Sequence, residues 1–172
     1  MSSLLPSSAD ADLRTDRLIL RPWSPDEIAT VLHGSRLDHW AEDFPAEGDQ
    51  VVAGLIGRNA DWLGAYGHRL VVERGSGLVV GSVGLFWPPT DGALELGYGI
   101  VPTRRGRGYA PEAARALAEF ALTAPDVHTV QADVETANPS SVRVLEKAGF
   151  QEIGRQDGVA RFHVTKRRPN RR

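Results

Sequence analysis

The chain has 172 residues, and its 20 lysine and arginine side chains nearly balance 22 aspartate and glutamate side chains, giving a formal net charge of -2. This balance argues against a protein that binds nucleic acid or a membrane through the field of its whole surface. The chain has no cysteine, which excludes disulfides, thiolate metal ligands and a cysteine nucleophile, and predicts a cytoplasmic protein.

A single domain over residues 13–166 is predicted, with a tail at each end. Residues 1–12 lack the basic start and the apolar core of a signal peptide, so they are expected to form a flexible tail. Residues 167–172 continue a basic end, "KRRPNRR", which is expected to be solvated, with contact to RNA or another polyanion as the alternative. No apolar run approaches the roughly 18 residues of a membrane helix, so no membrane partner is expected.

The first half of the chain predicts strands and helices in alternation. Residues 17–22, "RLILRP", are rich in leucine and isoleucine and predict a strand. A helix follows, because Ser24 and Glu27 have the spacing of a capping box around a proline at the first helical position. Residues 50–66 predict a second helix. Three strands between residues 68 and 101, separated by glycine- and proline-containing turns, predict an antiparallel meander.

The second half changes character. Apolar residues recur at helical spacing from Pro111 onward, which predicts a helix. Residues 128–135 predict a strand, and Asn138 caps a helix that ends near Gly149. Two closing strands follow. Together these elements predict an α/β domain in which a mixed sheet carries helices on both faces.

The loop "RRGRGYA", residues 104–110, joins a predicted strand to a predicted helix. The N–H groups of such a loop form an anion-binding concavity, and Gly106 and Gly108 let the backbone approach an oxyanion closely. The three arginines add positive charge, so a pyrophosphate fits the loop. The dinucleotide pattern G-x-G-x-x-G is excluded because its third glycine would be Pro111, and no P-loop pattern occurs.

Residues 105–110, "RGRGYA", resemble the signature with which GNAT acetyltransferases hold the pyrophosphate of acetyl-CoA. The stretches "LRTDRLILRPW", "LELGYGIVP" and "NPSSVRVLEKAGF" are similar to the branch that acetylates the N-termini of ribosomal proteins. The resemblance covers residues 13 to about 166. It implies a GNAT-type mixed sheet of about seven strands, antiparallel in its first half and splayed in the middle, with about four helices.

The resemblance implies acetyl-CoA as co-substrate, with pantetheine pairing along the backbone of Ile100 and Val101. Gly97 and Gly99 suit a bulged or splayed strand at this place. The residues that the resemblance assigns to acetyl-CoA binding are Ile100, Val101, Arg105, Gly106, Arg107, Gly108, Tyr109, Ala110 and Asn138.

Chemistry requires an amine to attack a thioester, and direct transfer is expected because no cysteine can form an acyl-enzyme. Glu95 is the candidate base, directly or through water, with a structural carboxylate as the alternative and Glu135 as a second candidate. The position of the usual GNAT tyrosine acid is occupied by Leu145. Ser141 is the substitute that the ribosomal-protein branch suggests, and the alternative is that its hydroxyl only helps to satisfy the first helical turn.

The acceptor is expected to be a protein N-terminus or a small amine. The resemblance favours a peptide α-amine, whose pKa of about 7.7 to 8.0 leaves much of it neutral. Four residues either line the mouth of the acceptor site or anchor the core: His39, Trp40, Phe44 and Trp87.

The five histidines show no paired metal spacing, so no metal is expected. A monomer or homodimer is expected, and the alternative function is a non-catalytic acyl-CoA sensor or RNA-contacting module.

Overall fold

A computed structural model of the chain describes residues 12–167, so the two expected tails lie outside the described residues except for Asp12 and Arg167. Within this range the chain forms eight strands and four α-helices. The strands are β1 (Leu13–Arg14), β2 (Leu18–Pro22), β3 (His68–Glu73), β4 (Val79–Leu85), β5 (Ala93–Ile100), β6 (Thr129–Glu135), β7 (Gln151–Gln156) and β8 (Val159–Thr165). The helices are α1 (Pro25–Leu32), α2 (Glu47–Arg58), α3 (Tyr109–Ala121) and α4 (Pro139–Lys147), with short 3-10 helices at Ala60–Leu63 and Pro102–Arg104.

All eight strands belong to one sheet with the order β1-β2-β3-β4-β5-β6-β8-β7. The first five strands pair antiparallel with their sequence neighbours, β5 pairs parallel with β6, and the last three strands pair antiparallel. This confirms the expected mixed sheet with an antiparallel first half. The sheet has eight strands instead of about seven because β1, which is only two residues long, pairs with β2 at the edge of the sheet.

The expected splay lies between β5 and β6. These strands pair only where Ala93–Glu95 faces Thr129–Gln131, although β5 continues to Ile100. Along β4 the register of β5 runs without a shift from Leu96 to Ile100, so the strand diverges from β6 without a bulge. We call the space between Leu96–Ile100 and the rest of β6 the β5–β6 cleft.

Helices cover both faces of the sheet. Neighbouring residues of a strand point to opposite faces, and Ser82 of β4 bonds to Asp49 of α2 at 2.5 Å. Tyr98 of β5 is paired with Val83, on the other face, and its hydroxyl bonds to the backbone of Ser141 in α4. Therefore α2 and α4 lie on opposite faces, and α3 packs beside α4.

The helix starts follow their capping groups. In α1 the predicted capping box is confirmed, with Ser24 and Glu27 bonding each other's backbone N–H groups. The second helix begins at Glu47, earlier than predicted, because Asp49 reaches back to the N–H of Ala46, and it ends at Arg58 instead of continuing to Tyr66. The third helix begins two residues before Pro111, at Tyr109. No helix within residues 12–167 is long and apolar enough to cross a bilayer.

Candidate active site

The edge of β5 that faces the β5–β6 cleft carries backbone groups without a strand partner. Glu95 accepts from Phe86 of the β4 side, and the N–H of Val101 donates to Val80 of β4. Because backbone bonds alternate along an antiparallel strand, the groups of Tyr98 and Ile100 point the other way, into the cleft. Both lie past the last residue that pairs with β6. The carbonyl of Ile100 is bonded to Arg105, so this edge offers the N–H and carbonyl of Tyr98 and the N–H of Ile100 to another extended chain.

This geometry corrects one expectation. The N–H of Val101 is bonded to Val80, and its carbonyl accepts from the N–H of Arg104 at 3.0 Å. Val101 is therefore not free to pair with pantetheine. The backbone of Tyr98, by contrast, faces the cleft, and this orientation follows from the register of β5 with β4.

The glycine loop, Arg104–Gly108, leads from this edge into α3. Gly106 has φ +79° and Gly108, the N-cap of α3, has φ +82°, a left-handed conformation that favours glycine. No side chain caps the helix N-terminus, so the N–H groups of its first turn are left for a ligand. These N–H groups form the positive end of the helix dipole, which attracts an anion.

The arginines of the glycine loop bind to the protein itself. Arg105 donates from Nε to the carbonyl of Ile100 at 2.9 Å. Arg107 donates from Nη1 to Glu73 at 3.2 Å, and Arg104 lies within 3.6 Å of the same carboxylate. In this arrangement the arginine side chains fix the shape of the loop. The N–H groups of Arg104 and Arg105 bond to the carbonyls of Val101 and Pro102, so the open backbone donors of the loop begin at Gly106.

Glu73, at the end of β3, is the anchor of the glycine loop. It is 8% exposed and accepts hydrogen bonds from the hydroxyls of Ser76 and Tyr109, both at 2.7 Å. Burial acts to raise the pKa of Glu73, but these bonds and the two arginines outweigh it and hold the pKa below its usual value. The hydroxyl of Tyr109 is thus held within the protein. At the start of α3, a ligand can therefore be bound only by the backbone of Tyr109 and of Ala110.

The first turn of α4 lies across the cleft from β5. Asn138 caps the helix by accepting the N–H of Ser141 at 3.3 Å, which confirms its predicted capping position. Tyr98 donates its hydroxyl to the carbonyl of Ser141 at 3.2 Å. Leu145, at the position where GNAT relatives were expected to carry a tyrosine, is fully buried in the core. Tyr98, which the sequence does not single out, therefore joins β5 to the first turn of α4 at Ser141.

A cavity of about 360 Å³ lies on the opposite face, between α2 and the middle of the sheet, and we call it the α2 cavity. Its floor includes Gly97 and Gly99, beside the β5–β6 cleft. Its walls include Asp49, Ser82, His68 and Phe86. Gly99 leaves space over the floor, since nothing lies within 4 Å of the position that its Cβ would take, whereas a Cβ on Gly97 would lie 3.5 Å from the ring of Phe86.

The polar groups in the wall of the α2 cavity are buried. His68 packs on Gly84, where a Cβ would overlap its ring, and burial lowers the pKa of His68 to about 4. Burial raises the pKa of Asp49, although Ser82 and the N–H of Ala46 bond to it and oppose the shift. Neither residue was singled out from the sequence, because their burial depends on strands and a helix that are distant along the chain.

Glu95 lies at the point where β5 and β6 separate, as the last residue of β5 that pairs with β6. Strand alternation puts its side chain on the same face as Gly97 and Gly99, and the side chain is exposed. Glu135, the second candidate base, is at the far end of β6, four residues beyond Gln131, the partner of Glu95. Of the two carboxylates, Glu95 is therefore the one that lies at the apex of the cleft.

The four candidates for the acceptor mouth do not line the α2 cavity. Trp40 and Phe44 are buried, and their rings pack edge to face at 5.2 Å. His39 bonds to the buried carboxylate of Glu27 at 3.1 Å, and Trp87 stacks on Tyr66 at 5.1 Å. The core alternative therefore holds for Trp40 and Phe44, whereas His39 is exposed and Trp87 is only partly buried.

Residues 17–151 match the acetyltransferase (GNAT) domain family. The probable N-acetyltransferase YjcK of Bacillus subtilis (strain 168) is 36% identical over 89 residues, which are 50% of this chain and 46% of that protein. The chain thus spans about half the length of this relative. Within residues 12–167, no group of three or more histidine, aspartate or glutamate side chains is arranged to hold a metal ion.

Two solved structures from Vibrio cholerae share the fold. A putative ribosomal-protein-serine acetyltransferase has a TM-score of 0.66 and 20% identity, covering 93% of this chain and 100% of that chain. A spermidine N-acetyltransferase in complex with CoA and spermine has a TM-score of 0.60 and 18% identity, covering 88% and 96%. At these identities the likeness shows the fold alone.

Proposed function

Since the chain belongs to the GNAT acetyltransferase domain family, we propose that it moves the acetyl group of acetyl-CoA to a primary amine by direct attack in a ternary complex. One observation carries the proposal. The unpaired edge of β5 leads, through the 3-10 turn Pro102–Arg104, into a glycine loop that ends at an uncapped helix N-terminus. An extended amide chain followed by a pyrophosphate fits this sequence of sites.

Acetyl-CoA contains an acyl thioester, a pantetheine chain with amide groups, and an anionic pyrophosphate. We assign its pantetheine amides to the backbone of Tyr98 and to the N–H of Ile100, since the carbonyl of Ile100 is already bonded to Arg105. The pyrophosphate is assigned to the backbone donors of the loop and first turn from Gly106 to Ala110, since the N–H of Arg105 already donates to the carbonyl of Pro102. Gly106 and Gly108 are needed there because their positive φ angles aim successive N–H groups toward one anion.

The reaction forms a C–N bond and breaks the C–S bond, while the amine loses one proton and the sulfur gains one. Glu95, at the apex of the cleft, takes the amine proton directly or through water. Ser141 donates a hydrogen bond or proton to the departing sulfur, since it lies on the first turn of α4 across the cleft. A thiol with a pKa of about 8.5 is a fair leaving group, so only weak acid catalysis by Ser141 is needed.

The α2 cavity is assigned to the acceptor, because its glycine floor adjoins the cleft on the face of Glu95. A protein N-terminus is the favoured acceptor. The one carboxylate among the residues that line the cavity, that of Asp49, already binds Ser82 and Ala46, and a polyamine with several positive charges would need more. A small amine is the second candidate, because a spermidine acetyltransferase shares the fold. We place the activity in the cytoplasm, as the cysteine-free sequence predicts.

Release of free thiol from acetyl-CoA tests this proposal across matched acceptors. The panel contains peptides with a free α-amine, the same peptides with a blocked α-amine, and small amines including spermidine. Turnover that is lost on blocking the α-amine supports a peptide acceptor, and preference for the small amines shifts the acceptor class. CoA binding without thiol release from any acceptor would instead indicate a non-catalytic sensor.

A further inference from the structure

Arg17 lies in the turn between β1 and β2, far from the glycine loop in sequence, yet it contacts the junction between the loop and α3. Its Nη1 donates to the carbonyl of Arg107 at 2.6 Å. Its guanidinium lies over the ring of Tyr109, 4.8 Å from the centroid. Its Nη2 lies 3.2 Å from the position that a Cβ would take on Gly108. One side chain thus contacts three consecutive residues at the start of α3.

Arg17 also binds Glu112, a carboxylate in the first turn of α3. The Nε of Arg17 lies 2.9 Å from one carboxylate oxygen, and its backbone N–H lies 3.0 Å from the other. Thr15 adds a third donor at 2.6 Å. Burial acts to raise the pKa of Glu112, but these bonds outweigh it, so the pKa is lowered and the carboxylate stays ionised.

The charge of Glu112 has two opposite effects. A negative charge in the first turn stabilises the helix itself. The same charge repels any anion that binds to the N–H groups of that turn, unless a cation neutralises it. The guanidinium of Arg17 is the cation in direct contact with this carboxylate, and it is not supplied by the glycine loop or by α3.

We propose that Arg17 is a positioning residue for acetyl-CoA: it holds the Arg107 carbonyl at the loop–helix junction and cancels the charge of Glu112 beside the pyrophosphate. The inference rests on the proposed function, because it takes the first turn of α3 as the pyrophosphate site. It assigns a role in substrate binding to a turn that contributes nothing to the cleft or the α2 cavity.

Calorimetric titration with CoA tests the inference in the full chain. Arg17→Gln leaves Glu112 uncompensated and frees the Arg107 carbonyl, so the dissociation constant for CoA rises by about 10-fold. In the double variant Arg17→Gln/Glu112→Gln the repulsion is gone, and the constant returns to within about 3-fold of wild type. Recovery on removing the partner charge distinguishes charge cancellation from mere support of the turn, which a second substitution would not restore.

Arg74 provides the matched control. It holds the same turn by donating to the carbonyls of Thr15 and Asp16, without a bond to the glycine loop. Arg74→Gln therefore leaves the CoA constant unchanged, and equal weakening in this variant would overturn the proposal. Wild type that fails to bind CoA would remove the proposed function itself. Wild type that binds CoA as tightly as Arg17→Gln would remove only the role of Arg17.

Discussion

The hydroxyl of Tyr98 donates to the backbone carbonyl of Ser141 across 3.2 Å, joining the unpaired edge of β5 to the first turn of α4. Burial raises the pKa of Tyr98, so the phenol remains a donor at neutral pH. The N–H of Ser141 is held by Asn138. Both backbone groups of Ser141 are thus engaged, whereas its hydroxyl makes no hydrogen bond within the described part of the chain.

Replacing the Ser141 hydroxyl separates a chemical role from a capping role. Because Asn138 caps the helix, Ser141→Ala should reduce turnover at saturating substrates by about 10²-fold or less, with little change in Tm. Asn138→Ala should lower Tm by about 2–4 °C through the lost cap. Steady-state kinetics and thermal unfolding of both variants check this. Early melting with normal turnover in Ser141→Ala would show that its hydroxyl only supports the helix.

Replacing Gly108 tests the pyrophosphate assignment. Gly108→Val puts a β-branched side chain at φ +82° beside Arg17, so the loop must shift and the KM for acetyl-CoA should rise by about 10-fold or more. Gly158 is the matched control, since it also has positive φ but lies in the β7–β8 turn. Gly158→Val should lose comparable stability and keep its KM. Unchanged KM in folded Gly108→Val would contradict the assignment.

Local signals were sufficient to predict most elements of the fold. Ser24 and Glu27 are three residues apart and form a capping box wherever a helix can follow, which is why α1 was predicted correctly. By contrast, α2 begins after Ala46, which has no side chain to signal a cap. The two-residue strand β1 is too short to show alternation, and only its pairing with β2 reveals it.

The candidate site was predictable where it depends on backbone freedom. Gly106 and Gly108 mark the glycine loop because left-handed positions favour glycine. The partners of the arginines were not predictable, since Glu73 and Arg17 approach the loop from strands and turns far away in sequence. The α2 cavity likewise requires β3, β4, β5 and α2 together, and no single stretch of sequence contains it.

The buried imidazole of His68 predicts how stability depends on pH. Its pKa is about 4 in the folded protein, against about 6.5 when exposed. Between these values the unfolded chain binds a proton that the folded chain does not. Stability from this group is therefore fully present above pH 6.5 and is lost as pH falls toward 4, by about 3 kcal/mol in total.

Urea unfolding from pH 7 to pH 5 measures this slope. His68→Gln should be less stable overall but should lose this part of the pH dependence, whereas exposed His33→Gln should retain it. The measured range, pH 5 to 7, lies above the pH at which Glu27 takes up a proton. Burial acts to raise the pKa of Glu27, but bonds from Arg21 and His39 outweigh it and lower the pKa to about 2. Equal slopes in wild type and His68→Gln would mean that folding does not lower the pKa of His68.

The position of Glu95 at the apex of the β5–β6 cleft makes it the carboxylate best placed to accept the amine proton. Glu95→Gln keeps the shape of the side chain and removes the base, so turnover should fall by about 10²-fold or more and the acidic limb of the pH–rate profile should shift. Glu135→Gln, at the far end of β6, should leave both unchanged. Rates of thiol release from pH 6 to 9 distinguish the two carboxylates. Wild-type rates in Glu95→Gln at every pH would show that the amine loses its proton to solvent and that Glu95 has only a structural role.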